Sequence, residues 1–434
     1  MAIAVTLGVL AQLTEKLLTP SAPPASRALM PATSDGEAAT NDFIRYYSER
    51  VKRDPEESRS QNALSEYYLQ RVRETGNEDY LPLAVTAAQT SLETVPAARN
   101  LGGLLALAHA EFSNHAFAAA RQHAEQLVQL EPDKGESYAV LGDAALELGD
   151  YDTVDAAYRK MESLQEDNAG TATRLARLAL LYGKPEEAQR QLQTALCLLG
   201  AMSHPPNETI NWSRWQLGEV AFATGNYPKA EKEYRAILKT SPSYFRALGS
   251  LARVRAAQHD YPQAISYYEE AVRIVPTLDA MASLGDLYLL TGREPDAAVR
   301  YDLVEQLGEH SRKIHGTPYD RNFALFLADH EKKPELAYEL ARSEYHAGRR
   351  DIYGADALAW TALKAGRVQE AETASKEALR LSTWDPKLLY RAGMIARAAG
   401  DESLAASYLQ RALALSPEFD PLQAAKAREA LAVK

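Results

Sequence analysis

Histidine, cysteine and paired carboxylates are the side chains from which catalytic and metal sites are most often built, and this chain uses them sparsely. Its 434 residues hold nine histidines and one cysteine. His109, His115 and His123 come closest to a cluster. Helical spacing places His109 and His123 on opposite helices of one hairpin, with His115 in the turn between them. No carboxylate completes a ligand set, so capping or solvated roles are expected rather than metal ligation. Cys197 lies in TALCLL on an apparent helix, where a thiol reads as a small buried hydrophobe; alone, it excludes an intramolecular disulfide. The paired carboxylates Glu186-Glu187 and Glu269-Glu270 fall on solvated helix faces. A Gly-rich phosphate loop, a GxSxG elbow and an HExxH pair are all missing. The expectation is a chain that is not an enzyme and carries no metal or cofactor.

The elements that position these residues are helical. Hydrophobic content of 46% and charged content of 25% suit a folded protein. A formal net charge of −11 argues against nucleic acid, whose phosphates demand a basic patch. Apolar residues recur at helical spacing, as at Tyr138, Leu141, Ala145 and Leu148. Gly149-Asp150 ends that stretch, because glycine takes the left-handed C-terminal position without steric cost. In GNYPKAEKEY, Pro228 enters the first turn of the next helix, where a missing N–H does no harm.

The pattern then repeats. SYAVLGDAALELGDYDTVDAAYRKM, SRWQLGEVAFATGNYPKAEKEYRAI, ALGSLARVRAAQHDYPQAISYYEEAV and AMASLGDLYLLTGREPDAAVRYDLV align residue for residue. Leu-Gly recurs at Leu141-Gly142, Leu217-Gly218 and Leu284-Gly285. A turn glycine or histidine follows about seven positions on, then an alanine and an aromatic. Pro242 and Pro276 close two successive units, one full repeat apart. This resembles the tetratricopeptide repeat, a helix–turn–helix unit of about 34 residues. The match runs over nearly all of the chain from position 60 to position 417. The resemblance implies an all-α, right-handed α-solenoid of about ten units. Each unit is too small to bury its own apolar face, so the ends need caps. PEFDPLQAAKAREALAVK supplies one, with Ala424, Ala427 and Leu431 inward and Lys426, Arg428 and Glu429 outward. The 23 tyrosines against 8 phenylalanines read as packing rings with a hydroxyl at the rim.

In this family the first helix of each unit lines a concave groove. Carried over slot by slot, the resemblance points to Trp212, Trp215, Glu219 and Phe222 in one unit. Arg246 and Arg253 follow in the next, and Arg177 precedes them. Further on, Asp356, Trp360 and Tyr390 occupy equivalent slots. Aromatics with arginines are the types enriched at interface hot spots. The tryptophans could equally fold back over the longer connection Met202–Glu208. The lysine–asparagine–arginine set by which some relatives grip a terminal carboxylate is missing. The expected function is therefore a scaffold that binds a protein or peptide in its groove. Two alternatives stand beside it: a ligand-binding protein or enzyme with a pocket near Trp360, Asp356 and His330, and a structural assembly component.

The segment 1–40 differs from the rest, and the array divides into 41–308 and a C-terminal part, 309–434. AIAVTLGVLAQL is too short to span a bilayer. It has the length of a signal-peptide core, and Ser26-Arg27-Ala28 fits a cleavage site, although no basic segment precedes it. Export or a cytoplasmic N-terminal tail both fit. The C-terminal third resembles bacterial repeat proteins, often exported, which points to a bacterial chain.

Overall fold

The computed structural model describes residues 35–164, 168–203, 205–315 and 321–432. Of the expected leader or tail segment 1–40, residues 1–34 lie outside these, while 35–40 belong to the first helix. Contacts divide the chain between Ala38 and Ala39, and Ala39–Lys434 is one compact unit.

Among the described residues there are 22 α-helices and no strand. A first helix, α1 (Asp35–Arg53), precedes ten hairpins. Units 1 to 5 are α2 (Ser58–Thr75) with α3 (Tyr80–Thr94), α4 (Leu101–Ser113) with α5 (Phe117–Leu130), α6 (Gly135–Leu148) with α7 (Tyr151–Leu164), α8 (Ala169–Leu181) with α9 (Pro185–Gly200), and α10 (Asn207–Ala223) with α11 (Tyr227–Thr240). Units 6 to 10 are α12 (Phe245–Ala257) with α13 (Tyr261–Ile274), α14 (Leu278–Leu290) with α15 (Glu294–His315), α16 (Arg321–Asp329) with α17 (Pro334–His346), α18 (Ile352–Lys364) with α19 (Val368–Ala378), and α20 (Pro386–Ala398) with α21 (Glu402–Leu415). The last helix, α22 (Gln423–Ala432), buries Ala424 and Ala427 completely and leaves Arg428 and Glu429 exposed, as its sequence requires. The expected boundary between 308 and 309 falls inside α15.

Local rules set the helix ends. Asn226, Asp260 and Asp401 each accept a hydrogen bond from a backbone N–H in the first turn of the helix that follows. The chain leaves each first helix through a residue of positive φ, such as Gly149 at 77° and Gly225 at 71°. Where glycine is missing, His115 (61°) and His259 (59°) take the same conformation.

Within a unit, the Leu-Gly pair has a specific job. A Cβ at Gly142 or Gly218 would lie 2.3 Å from the ring of Tyr158 or Tyr234. Hydrogen alone lets the second helix press its tyrosine flat against the first. The ring is then buried, and its hydroxyl emerges beside the residue after the glycine. Tyr158 donates to Asp143, Tyr234 to Glu219 and Tyr301 to Asp286, each at 2.7 Å.

The solenoid also meets itself. The turn of unit 3 lies against the connection into unit 9: the Ile352 N–H donates to the Tyr151 hydroxyl at 2.9 Å, and Arg349 pairs with Glu147 at 2.7 Å. The end of α8 takes the Thr383 hydroxyl on the Leu181 carbonyl, and the end of α10 takes Ser416 on the Phe222 carbonyl. These partners stand 201, 202 and 194 positions apart in the chain, about six repeats. Ile352 and Leu388 enter one apolar cluster with Tyr151, Val154 and Leu178. The first helices therefore face an interior that the chain winds around, not an open trough.

Candidate binding surface on the concave side

The interior wall is ordered by ion pairs between neighbouring units. Glu66 meets His109 at 2.9 Å, Asp143 meets Arg174 at 2.6 Å, and Glu219 meets Arg253 at 2.7 Å. Asp286 meets His330 at 2.8 Å and Asp356 meets Arg391 at 2.5 Å. In every case the acid belongs to an odd unit and the arginine or histidine to the even unit that follows. Three of these acids are the residues that receive the tyrosine hydroxyls. A carboxylate placed by the Leu-Gly pair thus ties its own hairpin to the next one.

Glu219 shows the arrangement in full. It accepts from Tyr234, from the Ser250 hydroxyl at 2.8 Å and from Arg253 with both oxygens at 2.7 Å. Ser250 in turn accepts the Trp215 indole N–H at 2.9 Å. Trp215 therefore reaches forward onto unit 6 instead of back over the connection before α10, where Met202 is exposed. Arg246, itself exposed, lies over Trp215 at 5.6 Å and over Phe245 at 4.9 Å. Trp212 is half-buried one turn earlier. Close by, burial pushes Glu208 up to about 6, against the Tyr244 hydroxyl hydrogen bond.

Other expected groove residues are placed differently. Phe222 is buried beneath the Arg253 guanidinium, 4.6 Å from its ring. Trp360 is buried because its N–H reaches Asp329 at 2.8 Å while Lys364 and Arg391 lie over its ring. Tyr390 is buried between Trp360 and Phe419, which the C-terminal cap lays over it. These three correct the expectation of side chains open to the groove. Arg177 remains open and pairs with Glu147. Asp356 is 4% exposed; burial pushes it up to about 6, with Arg391 acting the other way.

His330 terminates α16 by bonding the Phe326 carbonyl through Nδ1 and Asp286 through Nε2. Burial depresses its basicity, but Asp286, with the Phe326 carbonyl and Asp329, acts the other way, so the net shift is upward. His330 and Asp356 have different direct partners, Asp286 and Arg391, although Asp329 acts on both. His115 takes the turn, while His109 and His123 each bind a glutamate, Glu66 and Glu111. No group of three potential metal ligands comes together among the described residues. Cys197 corrects the sequence reading: it is exposed on α9, because the helix turns Ala195 and Leu199 inward instead. Among the described residues no helix is long and apolar enough to cross a membrane.

What the sequence reading missed is the acid–cation ladder. Its signal was present in part: an acid follows Leu-Gly in units 3, 5 and 7, and His109, Arg174 and Arg253 stand on the first helices of units 2, 4 and 6, with His330 just past that of unit 8. Ten stacked hairpins, with such a pair at every other junction, define an α-solenoid built from helix–turn–helix repeats. The tetratricopeptide repeat model matches residues 105–161, 216–279, 250–307 and 357–418, and the chain is a tetratricopeptide-repeat protein. It is an interaction scaffold in the general sense in which such repeats serve. No curated protein matches it in sequence. Among solved structures, a human IFIT1 dimer with PPP-AAAA is similar at 14% identity over 88% of this chain and 95% of that one, with a TM-score of 0.46. PilW, a widely conserved type IV pilus biogenesis factor, is similar at 17% identity over 47% and 91%, with a TM-score of 0.41. YrrB, a repeat protein with an unusual peptide-binding site, is similar at 16% identity over 45% and 96%, with a TM-score of 0.31.

Proposed function

We propose that the chain is a non-enzymatic scaffold that holds an extended protein or peptide segment on the concave side of units 5 and 6. The observation that carries this reading is the cluster of Trp212, Trp215 and Arg246. Arg246 is exposed and stacked on two aromatic rings, and Trp212 keeps part of its surface open. Most charged groups of the interior are already paired with one another, so this cluster is the prominent place where large side chains combine exposure with rigidity. Aromatic and arginine side chains held in this way lose little conformational freedom on binding.

The test is a photo-crosslinking residue at Arg246, compared with one at exposed Arg159 on α7, followed by identification of what is captured. The reading expects a protein captured from Arg246 alone. It also expects Trp212→Ala with Arg246→Ala to abolish capture while the helical melt is unchanged. Capture from Arg159 only, or recovery of nucleic acid in place of protein, would overturn it.

A further inference from the structure

Where two windings of the solenoid touch, they keep one register: the turn of a unit meets the connection six units further on. At the turn of unit 1, a Cβ on Gly76 would lie 2.6 Å from the Val275 side chain, which stands in the connection before unit 7. Units 3 and 4 meet the connections into units 9 and 10 in the same way. Gly225 of unit 5 lies against the Leu415 carbonyl, just ahead of α22. In this count α22 is the first helix of an eleventh unit.

Unit 7 has the side chains of a seam turn and nothing seated on them. Three positions before the turn glycine, Leu146 of unit 3 is 3% exposed and Leu289 of unit 7 is 44% exposed. Two positions before it, Leu181 of unit 4 is 5% exposed and Leu290 is 39% exposed. Leu146 stands with Ile352, and Leu181 shares one apolar cluster with Ile352 and Leu388, both from later units. A Cβ at Gly292 would meet nothing within 4 Å. Single exposed leucines are ordinary on a surface. What marks this pair is that its equivalents are covered.

The opposite edge of the spiral carries the matching side chains. Val95-Pro96, before unit 2, repeats the Val275-Pro276 pair, yet Pro96 is exposed. Leu130 before unit 3 and Met202 before unit 5 are exposed as well. The terminal helices correspond too. In α1, Tyr47 stands eight residues before Pro55, as Tyr234 stands before Pro242 and Tyr268 before Pro276. Among the described residues α1 is therefore a second helix without its first, with Phe43 and Tyr46 exposed, and α22 is a first helix without its second.

We propose that copies of this chain stack head to tail, with α22 of one copy and α1 of the next completing one hairpin. The remaining contacts then follow from the register. With the shared hairpin as the eleventh unit, the neighbour's unit 2 is the thirteenth, six beyond unit 7. Its Val95-Pro96 pair seats on Leu289, Leu290 and Gly292 as Val275 seats on Gly76. The neighbour's Met202, before the sixteenth unit, reaches the turn of unit 10, where Leu404 is exposed and Gly400 is open. The two surfaces differ and each copy advances the same spiral, so the stack does not close and grows as a filament. The concave Trp212–Arg246 cluster takes no part in it.

Sedimentation velocity of the full chain across a concentration series tests the stack. The expected result is growth past two copies as concentration rises. Leu289→Glu with Leu290→Glu, and separately Pro96→Glu with Met202→Glu, should each weaken association at least tenfold. The helical melt should be retained, because all four side chains are exposed. Either variant alone then gives the isolated solenoid for measurements of shape. Mixed together, each variant keeps one intact edge, and the two should pair into a dimer that grows no further. A wild-type chain that stays single at every concentration, as when residues 1–34 or another protein cover the edge, would overturn the proposal. So would a wild-type dimer that stops at two copies, or growth unchanged by both variants.

Discussion

Gly149 and Gly366 obey the same local rule and live in different surroundings. Both end the first helix of a hairpin, with φ of 77° and 76°. At Gly149 a Cβ would lie 2.4 Å from the Arg350 carbonyl oxygen, whereas at Gly366 it would meet nothing within 4 Å. Gly183 shares the first condition, against the Ser382 carbonyl, and Gly292 and Gly400 share the second. The turns of units 3 and 4 are thus contact points of a seam, while those of units 7, 9 and 10 only reverse the chain. One sequence signature serves two purposes, and only the winding of the solenoid separates them.

The largest effect should come from the ionic part of the seam. Arg349 is 6% exposed and pairs with Glu147, while Glu344 and Asp351 crowd around it. Arg349→Ala leaves those carboxylates buried with one cation fewer, which costs about 3–5 kcal/mol. Chemical denaturation should show the loss, and small-angle scattering should show a longer molecule as units 3 and 9 part. Arg367→Ala, on an exposed pair with Glu335 away from the seam, is the control and should leave stability nearly unchanged. Equal effects would mean that the seam contributes nothing.

Gly149→Ala comes next. The left-handed backbone costs an alanine about 1–2 kcal/mol wherever it occurs. The new methyl must also displace the backbone of Arg350 and Asp351, and overpacking of this kind adds roughly 1–3 kcal/mol. Either the melt falls by the sum or the seam opens to avoid it, and scattering distinguishes the two.

This contrast marks how far the sequence could be read. Turn positions, helix caps, the ten units and the C-terminal helix were legible because each depends on near neighbours in the chain or on the adjacent repeat. The burial of Trp360 and Tyr390 was not, because Phe419 and Arg391 cover them from later elements. Whether such a side chain is open depends on what the cap brings back over it. Trp215 lay between these cases: its helix was clear, and its direction was set by one hydroxyl, Ser250, in the next unit. Pairs such as Tyr151 with Ile352, six repeats apart, leave no periodic trace, so the seam had no signal in a single sequence.

A titration probes the junction between units 7 and 8, whose Gly292 turn has no outer neighbour. His330 is shifted upward, chiefly by Asp286, so it holds its proton more tightly in the folded chain than in the unfolded one. The stability it contributes is complete below the unfolded value of about 6.5 and is lost as pH rises through the higher folded value. Amide protection factors, corrected for the intrinsic pH dependence of exchange, should therefore fall in α14 and α16 as pH rises above about 6.5, while those of α6 and α8, held by Asp143 with Arg174, should not respond. His330→Gln should remove the difference. A response shared by both regions would point to a global cause.

Gly366→Ala should have the smallest effect, and it sharpens the comparison most cleanly. With open space around the new methyl, only the backbone term remains, about 1–2 kcal/mol, partly offset by the lower entropy of the unfolded chain. The shape in solution should not change, because no second turn of the solenoid touches this one. The difference between Gly149→Ala and Gly366→Ala then isolates what contact across the seam adds to a turn whose local conformation is otherwise the same. If that difference vanished, the two glycines would be equivalent, and Arg350 and Asp351 would have to move away from Gly149 without resistance.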